Sequence, residues 1–179
     1  MQADTQIWRE KAQYFDFRGH QIAYWKSENT SARPLLLVHG YPTCAFDWAG
    51  LWGQLGKDHY LIACDMLGFG LSDKPRSGYS IHKQTDIQEA LLSQLGVTEF
   101  DALVHDYGVS VGQELLARQQ DGLGLQGLGK MVFLNGGIFP DQHRPVLMQK
   151  IGVSPFGFLL GLLINREGFG KSFSQVFGP

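Results

Sequence analysis

The residues best suited to chemistry fall in three short turns, each of which follows an apolar run: His39-Gly40-Tyr41-Pro42, Asp65 to Asp73, and His105-Asp106-Tyr107-Gly108. The third carries the most information. An aspartate set between an apolar run and a helical segment lies at the positive end of the helix dipole, which favours a carboxylate there. Gly108 permits the close packing of a sharp strand-to-helix elbow. Asp106 is therefore a candidate nucleophile. Its competing reading is a helix N-cap, the common task of an aspartate at such a junction. The turn His39-Gly40-Tyr41-Pro42 favours the nucleophile, because a glycine-containing loop at the end of a neighbouring strand can aim a backbone N–H at the same point. Two such donors about one carboxylate make an oxyanion hole. Tyr41 N–H and Tyr107 N–H are the candidate donors, with Gly40 and Pro42 shaping the loop. His39 is read as a structural residue that hydrogen-bonds the loop rather than as a base.

A second arrangement overlaps the first. Gly108-Val109-Ser110-Val111-Gly112 matches the serine nucleophile-elbow pattern letter for letter, so a serine esterase acting through Ser110 is the alternative. That reading extends the buried strand through His105-Asp106 and places an ionisable pair inside a parallel sheet, which costs several kcal/mol per unpaired charge. Placing Asp106 at the turn removes the cost. The middle turn, Asp65 to Asp73, reads as scaffold: glycines 68 and 70 allow a tight loop, and Ser72 or Asp73 caps a turn. Its acidic residues, and the lack of a Gly-x-x-x-x-Gly-Lys-Ser/Thr pattern, speak against a phosphate cradle. Cys44 reads as a small residue packed beside its loop, and His143 as an exposed loop histidine.

The elements that must position these turns can be traced by apolar periodicity. Lys11 to Phe17 and Gln21 to Ser27 meet at Arg18-Gly19-His20 as a hairpin. The continuous apolar runs Pro34 to Val38, Leu61 to Cys64, Phe100 to Val104 and Met131 to Leu134 read as strands buried on both faces. Between them lie helical segments at Phe46 to Leu55, Ile81 to Leu95 and Tyr107 to Gln120, with Ser80 as a cap and Gly96 as a stop. Strands alternating with helices predict an α/β fold, a mostly parallel, helix-covered sheet with its site beyond the carboxyl ends of the central strands. The alternation stops near Gly136. A possible helix at Pro145 to Ile151, an apolar segment Phe156 to Ile164 and a glycine-rich tail follow.

Composition narrows the function classes. The chain has 179 residues, 44% hydrophobic and 18% charged, with a formal net charge of -2, as in an ordinary globular domain. Fifteen basic against 17 acidic residues, without a basic run, lack the electrostatic footprint of a nucleic-acid partner. Two cysteines, Cys44 and Cys64, with no CxxC pair, suggest neither a disulfide framework nor a zinc site. No cofactor or metal is expected. With no signal-peptide pattern and no apolar run long enough to span a bilayer, a cytoplasmic location is expected, and the partner indicated is a small-molecule substrate. Nothing in the chain specifies an oligomeric state.

At the residues of these turns the chain resembles the α/β-hydrolase superfamily, in the branch of epoxide hydrolases and haloalkane dehalogenases that use an aspartate nucleophile. The likeness is carried by His39-Gly-Tyr-Pro-Thr43, Leu67 to Pro75, Val104-His-Asp-Tyr-Gly108, Gln113 to Leu116, Asn135-Gly-Gly-Ile-Phe-Pro140, His143-Arg-Pro145 and Val176-Phe-Gly-Pro179, and runs from Trp8 onward. The resemblance implies that Asp106 attacks an sp3 carbon to give an ester on its own carboxylate, which a histidine-activated water then cleaves. Three departures matter. Dehalogenases of this branch hold the halide with a Trp after the nucleophile and an Asn after the His-Gly, where this chain has Tyr107 and Tyr41, so dehalogenation is not expected. Epoxide hydrolases protonate the opening ring with cap tyrosines, and no tyrosine follows Tyr107. The family's base histidine lies after the last strand, and none of the six histidines occupies that place. The expectation is therefore a part of a longer hydrolase, with hydrolase core over 1–139 and the start of a helical cap over 140–179. A non-catalytic binding domain that uses Phe156 to Ile164 as an interaction surface is the reading from another class.

Overall fold

Alternate residues of one central strand divide the core. Leu36 and Val38 point to one face of the sheet and Leu35 and Leu37 to the other, and all four are buried, as a period of two requires in a sheet covered on both sides. This arrangement is seen in a computed structural model of the chain, which describes residues 2–138 other than Ser77. The chain separates into two compact units, Met1–Ile138 and Phe139–Pro179. His143, the possible helix at 145–151, the apolar segment 156–164 and the glycine-rich tail lie outside the described residues.

The elements of the first unit are α1 Gln2–Glu10, β1 Gln13–Phe17, β2 His20–Lys26, β3 Arg33–Val38, a 3-10 turn Ala45–Trp48, α2 Ala49–Leu55, β4 His59–Cys64, α3 Ile81–Gln94, β5 Phe100–His105, α4 Tyr107–Gln120 and β6 Leu128–Leu134. The strands form one sheet in the order β1-β2-β4-β3-β5-β6. β1 and β2 pair antiparallel, as do β2 and β4, and the other neighbours are parallel. The hairpin closes through Arg18 and Gly19, both at positive φ (52° and 84°), with Asp16 Oδ1 accepting from the Gly19 N–H at 3.1 Å. Such two-residue turns match the twist of the strands they join. α3 starts at Ser80, whose Oγ accepts from the Lys83 N–H at 3.1 Å, and stops at Gly96, with φ of +69°.

Two expectations need correction, and one element is new. The new element is α1, a helix before Lys11. It is fixed by Trp8, which packs on Trp25 and accepts the Trp25 indole N–H on its backbone oxygen at 2.8 Å. The segment Phe46 to Leu55 is a 3-10 turn followed by a short helix, not one helix. β6 is not buried on both faces: it is the edge strand among the described residues, and Val132 is 52% exposed. Among the described residues no helix is long and apolar enough to cross a membrane.

The strand order decides where a site can form. From β3 the chain crosses to β4 on one side, and later places β5 on the other side of β3. Connections that leave neighbouring parallel strands in opposite directions open a crevice at their carboxyl ends. Val38 pairs with Val104, so the turns that begin at His39 and His105 leave adjacent strands at the same level.

Candidate active site

Asp106 stands at the end of β5 with φ 50° and ψ -115°, a backbone conformation that L-residues rarely adopt and that persists only where surrounding structure enforces it. Two packing features enforce it here. A Cβ added at Gly108 would lie 2.6 Å from the Val38 carbonyl oxygen and 2.7 Å from that of His39, so the start of α4 rests directly on the end of β3. A Cβ added at Gly40 would lie 2.5 Å from the Asp106 Cβ, so the β3 loop leaves space for the aspartate and nothing more. Asp106 occupies the N-cap position of α4 but makes no side-chain capping bond. Its Oδ1 instead accepts from the Tyr41 N–H at 2.8 Å. Among the described residues Oδ2 carries no hydrogen bond. The Tyr107 N–H, at the first position of α4, belongs to the set of amides that a helix leaves without an intrahelical partner; no hydrogen bond runs from it to the Asp106 side chain.

The other predicted residues fall around this carboxylate. His39 is buried, with Nδ1 2.8 Å from the Gly40 carbonyl and Nε2 3.0 Å from the Met66 amide. The amide can only donate, so Nε2 is unprotonated and Nδ1–H donates to Gly40, which fixes one neutral tautomer. Burial is the main cause that pushes the His39 imidazole down to about 4; nearby His105 acts in the same direction, while the bond to Gly40 and the charge of Asp106 oppose it. His39 is thus a strut between the β3 and β4 turns. The Tyr41–Pro42 peptide is cis, and the Tyr41 ring is 66% exposed. Ser110 is the fourth residue of α4, in ordinary helical backbone, and has no side-chain hydrogen bond to a histidine or carboxylate among the described residues. The positive-φ elbow belongs to Asp106.

The middle turn is a scaffold with one addition. The buried Asp65 accepts from the Ala45 amide at 2.8 Å on Oδ1 and from the Leu71 amide at 2.6 Å on Oδ2. Ser72 does not cap a turn: its Oγ donates to the Asp65 carbonyl at 2.6 Å and accepts from the Ala23 amide at 2.9 Å, fastening the turn to β2. The addition is Phe69. Its ring lies 5.3 Å from that of His39, 6.1 Å from Tyr41 and 6.2 Å from Tyr107, which makes it the centre of an aromatic wall beside the carboxylate. Asp47 was also missed. It hydrogen-bonds the Thr43 hydroxyl, and burial first, then the charge of Asp106, raises its carboxyl above the ordinary range, against the Thr43 bond and His105. Phe69 comes from the loop after β4 and Asp47 from the 3-10 turn after β3, and the one available signal was their place between a strand's carboxyl end and the next helix. Cys44 is half-buried, and its thiol is pushed up to about 11 by burial and by Asp65, so it stays protonated.

The described geometry amounts to an anchored carboxylate with one free oxygen, a helix N-terminus beside it and aromatic walls. Comparisons with known proteins agree with the fold. Residues 33–161 match the family described as alpha/beta hydrolase fold. The chain is 42% identical to the human mesoderm-specific transcript homolog protein, over 96% of this chain and 54% of that protein. It is 32% identical to a soluble epoxide hydrolase of Corynebacterium sp. (strain C12), over 60% of this chain and 36% of that one. A solved alpha/beta hydrolase fold protein from Burkholderia ambifaria superposes with a TM-score of 0.65 at 28% identity, over 86% of this chain and 56% of its own. The chain spans about half the length of the curated relatives it matches.

Proposed function

The chain belongs to the alpha/beta-hydrolase fold family, and on that premise we propose that it is the nucleophile-bearing part of an epoxide-hydrolase-like enzyme acting through an ester on Asp106. The observation that carries this reading is the Asp106 carboxylate, held on the positive-φ elbow by the Tyr41 N–H with Oδ2 left free. In the first step Oδ2 attacks a ring carbon of the epoxide. The carbon–oxygen bond breaks, and the ring oxygen leaves with its electron pair and takes a proton from solvent. In the second step water adds to the ester carbonyl carbon. The tetrahedral oxyanion is stabilised by the Tyr41 and Tyr107 amides; collapse expels the alkoxide, which takes up the proton that the water gave to the base and leaves as the diol, and the resulting carboxylic acid returns its own proton to solvent to restore the carboxylate. Donors aimed where charge develops typically contribute about 3 kcal/mol each.

The proton lost by the attacking water goes to a base other than His39, whose two ring nitrogens are both engaged. The likeness to a soluble epoxide hydrolase supports the substrate class. Tyr41 and Tyr107, standing where dehalogenases use Asn and Trp, weigh against halide displacement. A hydrolase core over 1–139 and the start of a cap over 140–179 go with this reading. Its test is acid quenching of the full chain during reaction with a reactive aryl epoxide, followed by mass analysis of peptides. An epoxide-sized mass increase on the peptide containing Asp106, absent from Asp106→Asn, is expected. An adduct on Ser110 would replace this reading with the serine esterase.

A further inference from the structure

A second concavity, of about 530 Å³, shares no residue with the candidate active site. Its wall is a cluster of indoles. Trp8 of α1 stacks on Trp25 of β2 at 5.0 Å and meets Trp52 of α2 edge-on at 5.0 Å, with Phe46 at 6.0 Å. The cluster anchors α1, but anchoring would call for a filled interface, and this one is open. Gly50 and Gly53, both on α2, line the opening, and a Cβ added at either meets nothing within 4 Å. Glycine inside a helix costs about 1 kcal/mol relative to alanine. Two of them in a helix of seven residues keep a hollow that any larger side chain would occupy.

The rim supplies the second half of the argument. Lys11 and Lys26 border the opening, and among the described residues no acidic residue lines it. Neither lysine forms an ion pair or a side-chain hydrogen bond among the described residues. Two lysines without an ion-pair partner among the described residues thus border an aromatic hollow in a chain whose net charge is -2. That pairing complements a molecule with an apolar body and an anionic head. The volume lies within the roughly 300–1,000 Å³ range of sites that enclose one small molecule, and a concave slot suits a single chain better than a lipid surface. We propose that this groove binds a long-chain carboxylate, with its hydrocarbon chain against Trp8, Trp25 and Trp52 and its carboxylate at Lys11 and Lys26.

Three of the four tryptophans belong to the groove, so intrinsic fluorescence reads occupancy. The full chain is titrated with dodecanoate and with dodecyltrimethylammonium, both below micelle formation. Saturable emission change with dodecanoate is expected, at an affinity about tenfold or more above that of the cation, since two unpaired lysines separate the head groups by about 1.4 kcal/mol. Lys11→Glu combined with Lys26→Glu should reverse the preference. Gly53→Leu, which has room for its side chain, should weaken both ligands with the circular dichroism unchanged. Equal binding of the two amphiphiles, indifference to the charge reversal, or full binding by Gly53→Leu would overturn the proposal. So would binding only to anionic vesicles, or a concentration-dependent dimer that Gly53→Leu dissolves.

Discussion

At the scale of single residues, Asp106 owes its geometry to neighbours that have no side chain to offer. Gly40→Ala places a methyl group 2.5 Å from the Asp106 Cβ, an atom bonded directly to the main chain that cannot rotate away. Ester formation should fall by about 100-fold, the typical effect of misplacing a reacting group by about an ångström, with far less change in melting temperature than a core deletion produces. Activity within threefold of the parent would show that the approach of the two loops is not what holds the carboxylate. His39 adds one pH-dependent contribution to stability. Its folded value of about 4 lies below the unfolded 6.5, so the unfolded chain binds the extra proton and stability rises with pH across that window. The contribution is complete above about 6.5 and lost as pH falls toward 4. Between pH 7 and 5 the loss should be about 2 kcal/mol, read as a shift in urea midpoint, and should shrink in His39→Gln. That Asp106, Tyr41 and His39 lie together was legible because each belongs to a short motif at a strand end. The approach of Phe69 and Asp47 was not, because the path of the chain between a strand and the next helix brings them there, which no local spacing records.

At the scale of elements, one guanidinium gathers the carboxylates between α3 and α4, beside a His82–Glu114 contact of 2.8 Å. Arg118, 16% exposed, donates to Asp86 at 2.8 Å, to Glu89 at 2.6 Å and to Glu114 at 2.8 Å, and reaches the His82 carbonyl at 3.1 Å. Removing the cation leaves three carboxylates facing one another in a half-dry seam. Arg118→Met, which keeps the apolar stem, should therefore cost about 2 kcal/mol in denaturant unfolding; a loss below about 0.5 kcal/mol would show that solvent screens the cluster. The elements themselves were read with uneven success. α3 announces its ends through Ser80 and Gly96, and β3 and β4 through continuous apolar runs. α1 carries few large apolar residues and is held by Trp8 in a tertiary contact. β6 is apolar in sequence yet exposed at Val132, because apolar composition does not tell a central strand from an edge.

At the scale of the whole molecule, the switch in strand order at β3 and β5 makes one crevice, and the sheet exists in this account to bring the Tyr41 amide to the Asp106 carboxylate. The alternation of strands and helices was enough to place that crevice beyond the strand ends, while the strand order itself required the pairing of distant segments. The central claim is that Asp106 becomes an ester and is regenerated by water. The direct measurement is a single turnover of an aryl epoxide by excess full-length protein in heavy-oxygen water, followed by mass analysis of both the diol and the peptide containing Asp106. An ester on Asp106 predicts one heavy oxygen in the Asp106 carboxylate and an unlabelled diol, because the oxygen delivered to carbon comes from the carboxylate and water replaces it there. A labelled diol beside an unlabelled Asp106 would mean that water attacks the epoxide directly, and would contradict the account.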